Sequence, residues 1–217
     1  MATLESNDSN IIDGQEINLR LIVYPILAII VIVVGGLTYY YYQQNKRDAA
    51  EADARAAMLK AQTPEELVQV ADQYPHTDQA TQALLKAADD SFTKLDYTAS
   101  AKDYQRILDT TGTDPLLRDS AQVGLASALE ASGKIDEAIA AYMEVANRGD
   151  KTPYAPFAYN AVYKIYVQKG DTINQRKILT QESTLDPDSN FVKQAQQELK
   201  SLDAGSINLP VPAAAKP

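Results

Sequence analysis

Apolar positions follow two different patterns along the chain. The first is a continuous run. Leu21 to Thr38 reads LIVYPILAIIVIVVGGLT and holds no charge. Extended through Tyr42, it reaches about 33 Å at helical rise, enough to cross a hydrocarbon core of about 30 Å. Tyr39 to Tyr42 at one edge and Tyr24 near the other suit the headgroup level, where an apolar ring with a hydroxyl is at home. Pro25 is expected in the first turn, where its missing N–H costs little. Gly35 and Gly36 do not make a GxxxG spacing. The span is expected to stay uncleaved. A signal peptide needs a basic leading segment and a shorter apolar core, whereas Glu5, Asp8, Asp13 and Glu16 precede this one with no base before Arg20.

The second pattern, from Gln43 onward, has the period of a helix. Ala49 to Ala61 is alanine-rich and is expected to continue the membrane helix into water. Thr63 then predicts an N-cap, with Pro64 at the first helical position and Glu65 and Glu66 in the first turn. Leu67, Val70 and Ala71 give that helix an apolar face, and Tyr74 and Pro75 end it.

The clearest later stretch is GKIDEAIAAYMEVA, Gly133 to Ala146. Gly133 turns the chain, and Ile135, Ala138, Ile139, Tyr142 and Val145 share one face. The preceding SAQVGLASALEAS offers Val123, Leu125, Ala126 and Leu129 for packing. Upstream, LDYTASAKDYQRIL places Ser100 four residues before Tyr104, after a helix carrying Leu84, Leu85, Ala88 and Phe92. Downstream, Tyr159, Val162, Tyr163 and Tyr166 precede a turn at Gly170. Helix, glycine turn, helix, with a small residue four before an aromatic, is the tetratricopeptide repeat pattern. Ser100, Ala138 and Gln175 fall in the same slot about every 37 residues, against a basic period of about 34. Gln175 is long for that slot, so the third unit is expected to be splayed or to have its second helix shifted.

A helical hairpin cannot bury its apolar face alone, so neighbouring units must stack. Ala49 to Gln73 is expected to be a degenerate leading unit. Asp188 to Leu202 is expected to be a closing helix, capped by Ser189, packed through Phe191, Ala195 and Leu199, with Lys193, Gln197 and Lys200 in solvent. The fold class is therefore all-α: one transmembrane helix followed by a tetratricopeptide-repeat solenoid of helical hairpins. The expected divisions are a disordered acidic tail over 1–18, the membrane helix over 19–42, the repeat domain over 43–202 and a mobile Pro/Ala tail over 203–217.

Composition narrows the function. Acids outnumber bases, 29 to 20, for a net charge of -9, which argues against nucleic acid as a partner. There is no cysteine and one histidine, so thiolate or histidine-rich metal sites are not expected. His76 has no partner beyond Thr77 and Asp78, and reads as a solvated loop histidine. Asp89 and Asp90 are adjacent and so point about 100° apart on a helix, unlike a glycosidase pair. No nucleophile–base set, phosphate loop or ligand cluster is present in the sequence. No catalytic residue, cofactor or metal is expected, and the chain is read as a non-enzyme.

A single N-terminal span, an aromatic edge, a short charged helix, then YPHTDQATQALLKAADDSF and successive hairpins resemble the ancillary SecYEG translocon subunit family of membrane-anchored tetratricopeptide proteins. The resemblance covers about Leu19 to Leu202 and is one of architecture. It implies a single-pass protein of the bacterial inner membrane, its repeat domain in the periplasm. It implies partners among the Sec translocon, periplasmic chaperones and secreted clients. The alternatives are a cytoplasm-facing docking receptor and an envelope-assembly adaptor. The positive-inside count points to the cytoplasm, with Arg20 leading the span and Lys46, Arg47, Arg55 and Lys60 trailing it.

By resemblance to the repeat family, the working surface would be a concave groove made by the first helix of each hairpin. Its exposed positions would be Gln82, Leu85, Asp89 and Phe92, then Val123, Ser127 and Glu130, then Phe157, Asn160, Lys164 and Val167. This is a mixed, mildly apolar trough. Only Asn160 and Lys164 resemble a carboxylate clamp, so none is expected. Phe92 and Phe157 fit core packing as well as they fit the groove.

Overall fold

The computed structural model describes residues 19–75, 77–110 and 112–207, and among these it contains helices and no strand. The expected tail over 1–18, His76 and residues 208–217 lie outside the described residues. The chain forms two compact units, Met1–Ala49 and Ala50–Pro217. The long helix α1, Leu19–Lys60, begins in the first unit and ends in the second. It does not break at Tyr42.

In the first unit, α1 is long and apolar enough to cross a membrane. Val31 and Ile32 are 69% and 72% exposed, so nothing among the described residues packs over them. Thr38 donates its hydroxyl to the Val34 carbonyl at 2.8 Å, which satisfies it without water. Pro25 corrects one expectation. The helix starts at Leu19, so Pro25 is inside it rather than in its first turn, and the Leu21 carbonyl loses its usual i+4 donor.

The second unit is a succession of hairpins. After the last turns of α1 come α2, Pro64–Gln73, then α3, Asp78–Thr93, and α4, Tyr97–Asp109. They are followed by α5, Pro115–Ala131, and α6, Ile135–Ala146, then a single 3-10 turn, Gly149–Lys151, then α7, Ala155–Gln168, and α8, Thr172–Glu182. The last helix, α9, is Asn190–Ile207. From α2 onward each helix packs on the next, and α3 also touches α5 as α7 touches α9. α3 therefore lies beside α5, and α7 beside α9.

Local chemistry sets the boundaries. Thr63 caps α2 by accepting from the Glu66 N–H at 3.2 Å, while Glu66 reaches back to the Gln62 N–H at 2.7 Å. Both bonds satisfy donors that a helix start leaves bare. Thr77, Asp96, Asp114 and Asp171 cap α3, α4, α5 and α8 with their side chains. Gly133 and Gly170 have φ of +83° and +65°, the left-handed turn that favours glycine between the two helices of a hairpin.

Packing follows the repeat frame. Ser100 and Ala138 are fully buried at the helix–helix contacts. Leu67 and Ile107 are also fully buried, each contributing about 1.5–3 kcal/mol. Gln175 is buried too, and its Nε2 donates to the Tyr166 carbonyl at 3.1 Å. The long side chain is thus accommodated by a hydrogen bond to the neighbouring helix. The closing helix differs from expectation on two points. Val192 and Ala195 are buried while Phe191 is 47% exposed, so the packed face is turned by one residue. Leu199 is half-buried, and the helix runs past Leu202 to Ile207.

Candidate functional site

The first helices present the expected residues in three groups. On α3, Gln82 and Asp89 are exposed, while Leu85 and Phe92 are half-buried. Leu85 leans on the core cluster that holds Leu84, Ala88 and Ile107. Phe92 meets Tyr97 edge to face, with centroids 5.2 Å apart. It belongs partly to the core and partly to the surface.

On α5, Val123, Ser127 and Glu130 are half-buried and joined by hydrogen bonds. Ser127 donates to the Val123 carbonyl at 2.9 Å. The Tyr142 hydroxyl, reaching over from α6, donates to Glu130 Oε2 at 3.0 Å and lies 2.9 Å from Ser127 Oγ. Burial first, together with the Glu130 charge and hydrogen bond, pushes the Tyr142 phenol up to about 12 despite the opposing Ser127 bond. It stays a proton donor throughout the neutral range.

The same device occurs one repeat earlier. The Tyr104 hydroxyl, from α4, donates to Asp89 Oδ1 on α3, and burial ahead of that bond pushes the phenol well above its usual range. Each of the two hairpins thus ties a tyrosine of its second helix to a carboxylate of its first. In the third hairpin the corresponding position is Leu179, which is buried and makes no such link. The Tyr104 ring also crosses α5 at Gly124. A Cβ placed on Gly124 would approach three ring atoms closer than 3.0 Å.

On α7, Phe157 is 49% and Val167 47% exposed, Lys164 is exposed and Asn160 half-buried. Phe157 is therefore a surface aromatic. The three groups differ in kind: the α5 residues form one bonded set, Asp89 is bound to Tyr104, and the α7 residues stand open. Sequence reasoning missed Tyr104, Tyr142 and Gly124 as parts of this face. The recurring tyrosine four residues after the small slot was the available signal. A shallow cavity of about 380 Å³ opens between α4, α5 and α6, floored by Leu108 and Leu125 and rimmed by Asp109, Glu137 and Glu144, and none of the expected groove residues lines it. Among the described residues no group of acids and histidines could hold a metal ion.

A family model described as a tetratricopeptide repeat-like domain matches residues 16–149, more than half of the chain. The chain belongs to the tetratricopeptide repeat-like domain family. The matched residues take in all of α1 and the hairpins through α6, and stop before α7. A comparison with curated proteins finds no match. Membership in the tetratricopeptide repeat-like family supports a protein–protein interaction scaffold, and such domains are typically not catalytic.

Proposed function

We propose that the protein is a membrane-tethered scaffold of the bacterial envelope. In this reading α1 is a single-pass anchor in the inner membrane and the repeat domain lies in the periplasm. The face made by α3, α5 and α7 binds other proteins, with the Sec translocon, periplasmic chaperones and secreted clients as the partners. The observation that carries the binding role is Phe157, an aromatic left 49% exposed on a first helix, with Val167 47% exposed further along the same helix. Exposed aromatics of this kind are the anchors from which interfaces draw most of their affinity. The resemblance in architecture supports the translocon assignment. The trailing Lys46, Arg47, Arg55 and Lys60 favour a second reading, the same scaffold facing the cytoplasm.

One experiment separates them. A photocrosslinking residue replaces Phe157 in the full chain, and intact spheroplasts are treated with protease before and after illumination. Degradation of the repeats in intact spheroplasts, with a translocon subunit or chaperone joined at position 157, is the expected result. Repeats cut only after lysis would reverse the topology. Repeats accessible but joined to no protein would remove the binding role from this face.

A further inference from the structure

The cavity between α4, α5 and α6 shares no residue with the face proposed above for partner binding. Each of the three helices gives it one side. From α6 come Glu137, Ala140, Ala141 and Glu144, at the spacing that puts residues on a single helical stripe. The two alanines leave the hollow. The two glutamates stand at its ends, about 10 Å apart along the helix. From α5 come Arg118, Gln122 and Leu125, and from α4 Leu108 and Asp109. Leu108 and Leu125 are 8% and 9% exposed, so the floor is apolar and is the outer edge of the core. Gln122 Nε2 donates to the Ala141 carbonyl at 3.4 Å, which ties α5 to α6 at the cavity. On the rim, three carboxylates stand against one guanidinium. Asp109 accepts a neutral amide, Gln105 Nε2, at 2.9 Å. Glu137 meets Lys134 at 3.7 Å with both side chains mostly exposed, a pair that contributes little. Among the described residues neither Glu144 nor Arg118 enters an ion pair.

We propose that this cavity is a second docking site, which takes a lysine or arginine side chain from a basic segment of a partner protein. Size and charge both select that occupant. A volume of about 380 Å³ is at the small end of binding pockets, which run from about 300 to about 1,000 Å³. It suits a long side chain rather than a folded element. Lysine and arginine lay an apolar stem on an apolar surface while the charged head reaches polar groups beyond it. Here the stem meets Leu108 and Leu125, and the head meets the acidic rim. A bare metal ion does not suit the rim, because among the described residues no group of carboxylates converges as metal ligands do. Arg118 sets the direction of docking. As the one cation of the lining, it repels the incoming head towards Glu137 and Glu144 on α6. The net charge of -9 on the chain adds a longer-range attraction for a basic segment. The site stands whether or not the face of α3, α5 and α7 binds a partner.

The test titrates an acetylated and amidated peptide, three copies of Leu-Arg-Ala, into the full chain held in nanodiscs of zwitterionic lipid. Calorimetry follows binding, with empty nanodiscs as the blank. The arginine peptide should bind, and the same peptide with glutamine in place of arginine should not. Added salt should weaken the binding. Glu137→Gln with Glu144→Gln should weaken it about tenfold, and Arg118→Gln should strengthen it about threefold. Ala140→Trp fills the hollow and should abolish it. All four positions are exposed, so helical content by circular dichroism should stay at the wild-type level. Glu65→Gln and Lys177→Gln change exposed charges that do not line the cavity and should leave affinity within a factor of about two. Phe157→Ala, on the other face, should leave it unchanged. Equal binding of the two peptides overturns the proposal, and so does wild-type affinity in the doubly substituted Glu137 and Glu144 protein. Binding lost with Phe157→Ala places the peptide on the other face and also overturns it. If Ala140→Trp disturbs the fold, Arg118→Gln decides, and affinity that is unchanged or weaker there refutes the site.

Discussion

Gly124→Ala should destabilise the repeat domain, against the usual effect of that substitution in a helix. Gly124 lies inside α5, where an alanine normally gains about 1 kcal/mol over glycine. Here the new methyl would sit closer than 3.0 Å to three atoms of the Tyr104 ring, whereas carbon atoms prefer about 3.5–4.0 Å. The ring has nowhere to retreat. Tyr104 is 5% exposed, packs in the cluster with Ile107, Leu108 and Leu125, and is pinned at its hydroxyl by Asp89. Overpacking of this kind costs about 1–3 kcal/mol. Set against the propensity gain, the net loss is about 1 kcal/mol, with a fall in Tm of about 2–4 °C for a domain of this size. Urea unfolding followed by circular dichroism measures it. The decisive control is Tyr104→Leu, which removes the ring's far edge. In that background Gly124→Ala should turn stabilising by about 1 kcal/mol. If Gly124→Ala stabilises the wild-type background as much as the Tyr104→Leu background, the two residues do not meet and the reasoning fails.

Two further substitutions probe the hairpins. Ala138→Arg drives a long cation into a fully buried contact and should cost about 2–4 kcal/mol; an unchanged unfolding midpoint would show that the slot is not where the helices touch. Tyr142→Phe deletes a hydroxyl held by Glu130 and Ser127 and should cost about 0.5–1.5 kcal/mol. Across a titration to alkaline pH it should also remove the phenolate absorbance change centred near the raised Tyr142 value of about 12.

Much of the fold was legible because it rests on local chemistry. The caps at Thr63 and Pro64, the turns at Gly133 and Gly170, and the slot shared by Ser100, Ala138 and Gln175 are short-range features that the chain states directly. The apolar run from Leu21 was equally plain. What failed were choices between near-equivalent alternatives. In α9, Ala195 and Leu199 serve a face through Phe191 and one through Val192 equally well, and only contact with α7 and α8 selects Val192. Pro25 was misplaced because the helix starts at Leu19, ahead of the charge-free apolar run. The tyrosine–carboxylate links escaped for another reason. Tyr104 and Asp89 are 15 residues apart, and Tyr142 and Glu130 are 12 apart, so they meet only once a hairpin has closed.

Glu51 joins the end of α1 to the first repeats. Its two carboxylate oxygens accept from the Asp78 and Gln79 N–H groups, at 2.6 and 3.3 Å, so a side chain of α1 caps α3. Nearby Ala54 is fully buried, and Ala57, Met58 and Ala61 pack on the cluster of Leu67, Val70, Ala83 and Ala87. The solenoid's leading edge is therefore the last turns of α1 itself. A soluble version trimmed at the natural-looking gap after Lys60 would begin with bare α3 donors and an open flank of apolar side chains. Freeing the domain intact means cutting through the middle of a helix, upstream of Glu51, and any protease that sheds it in one piece has to unwind α1 first.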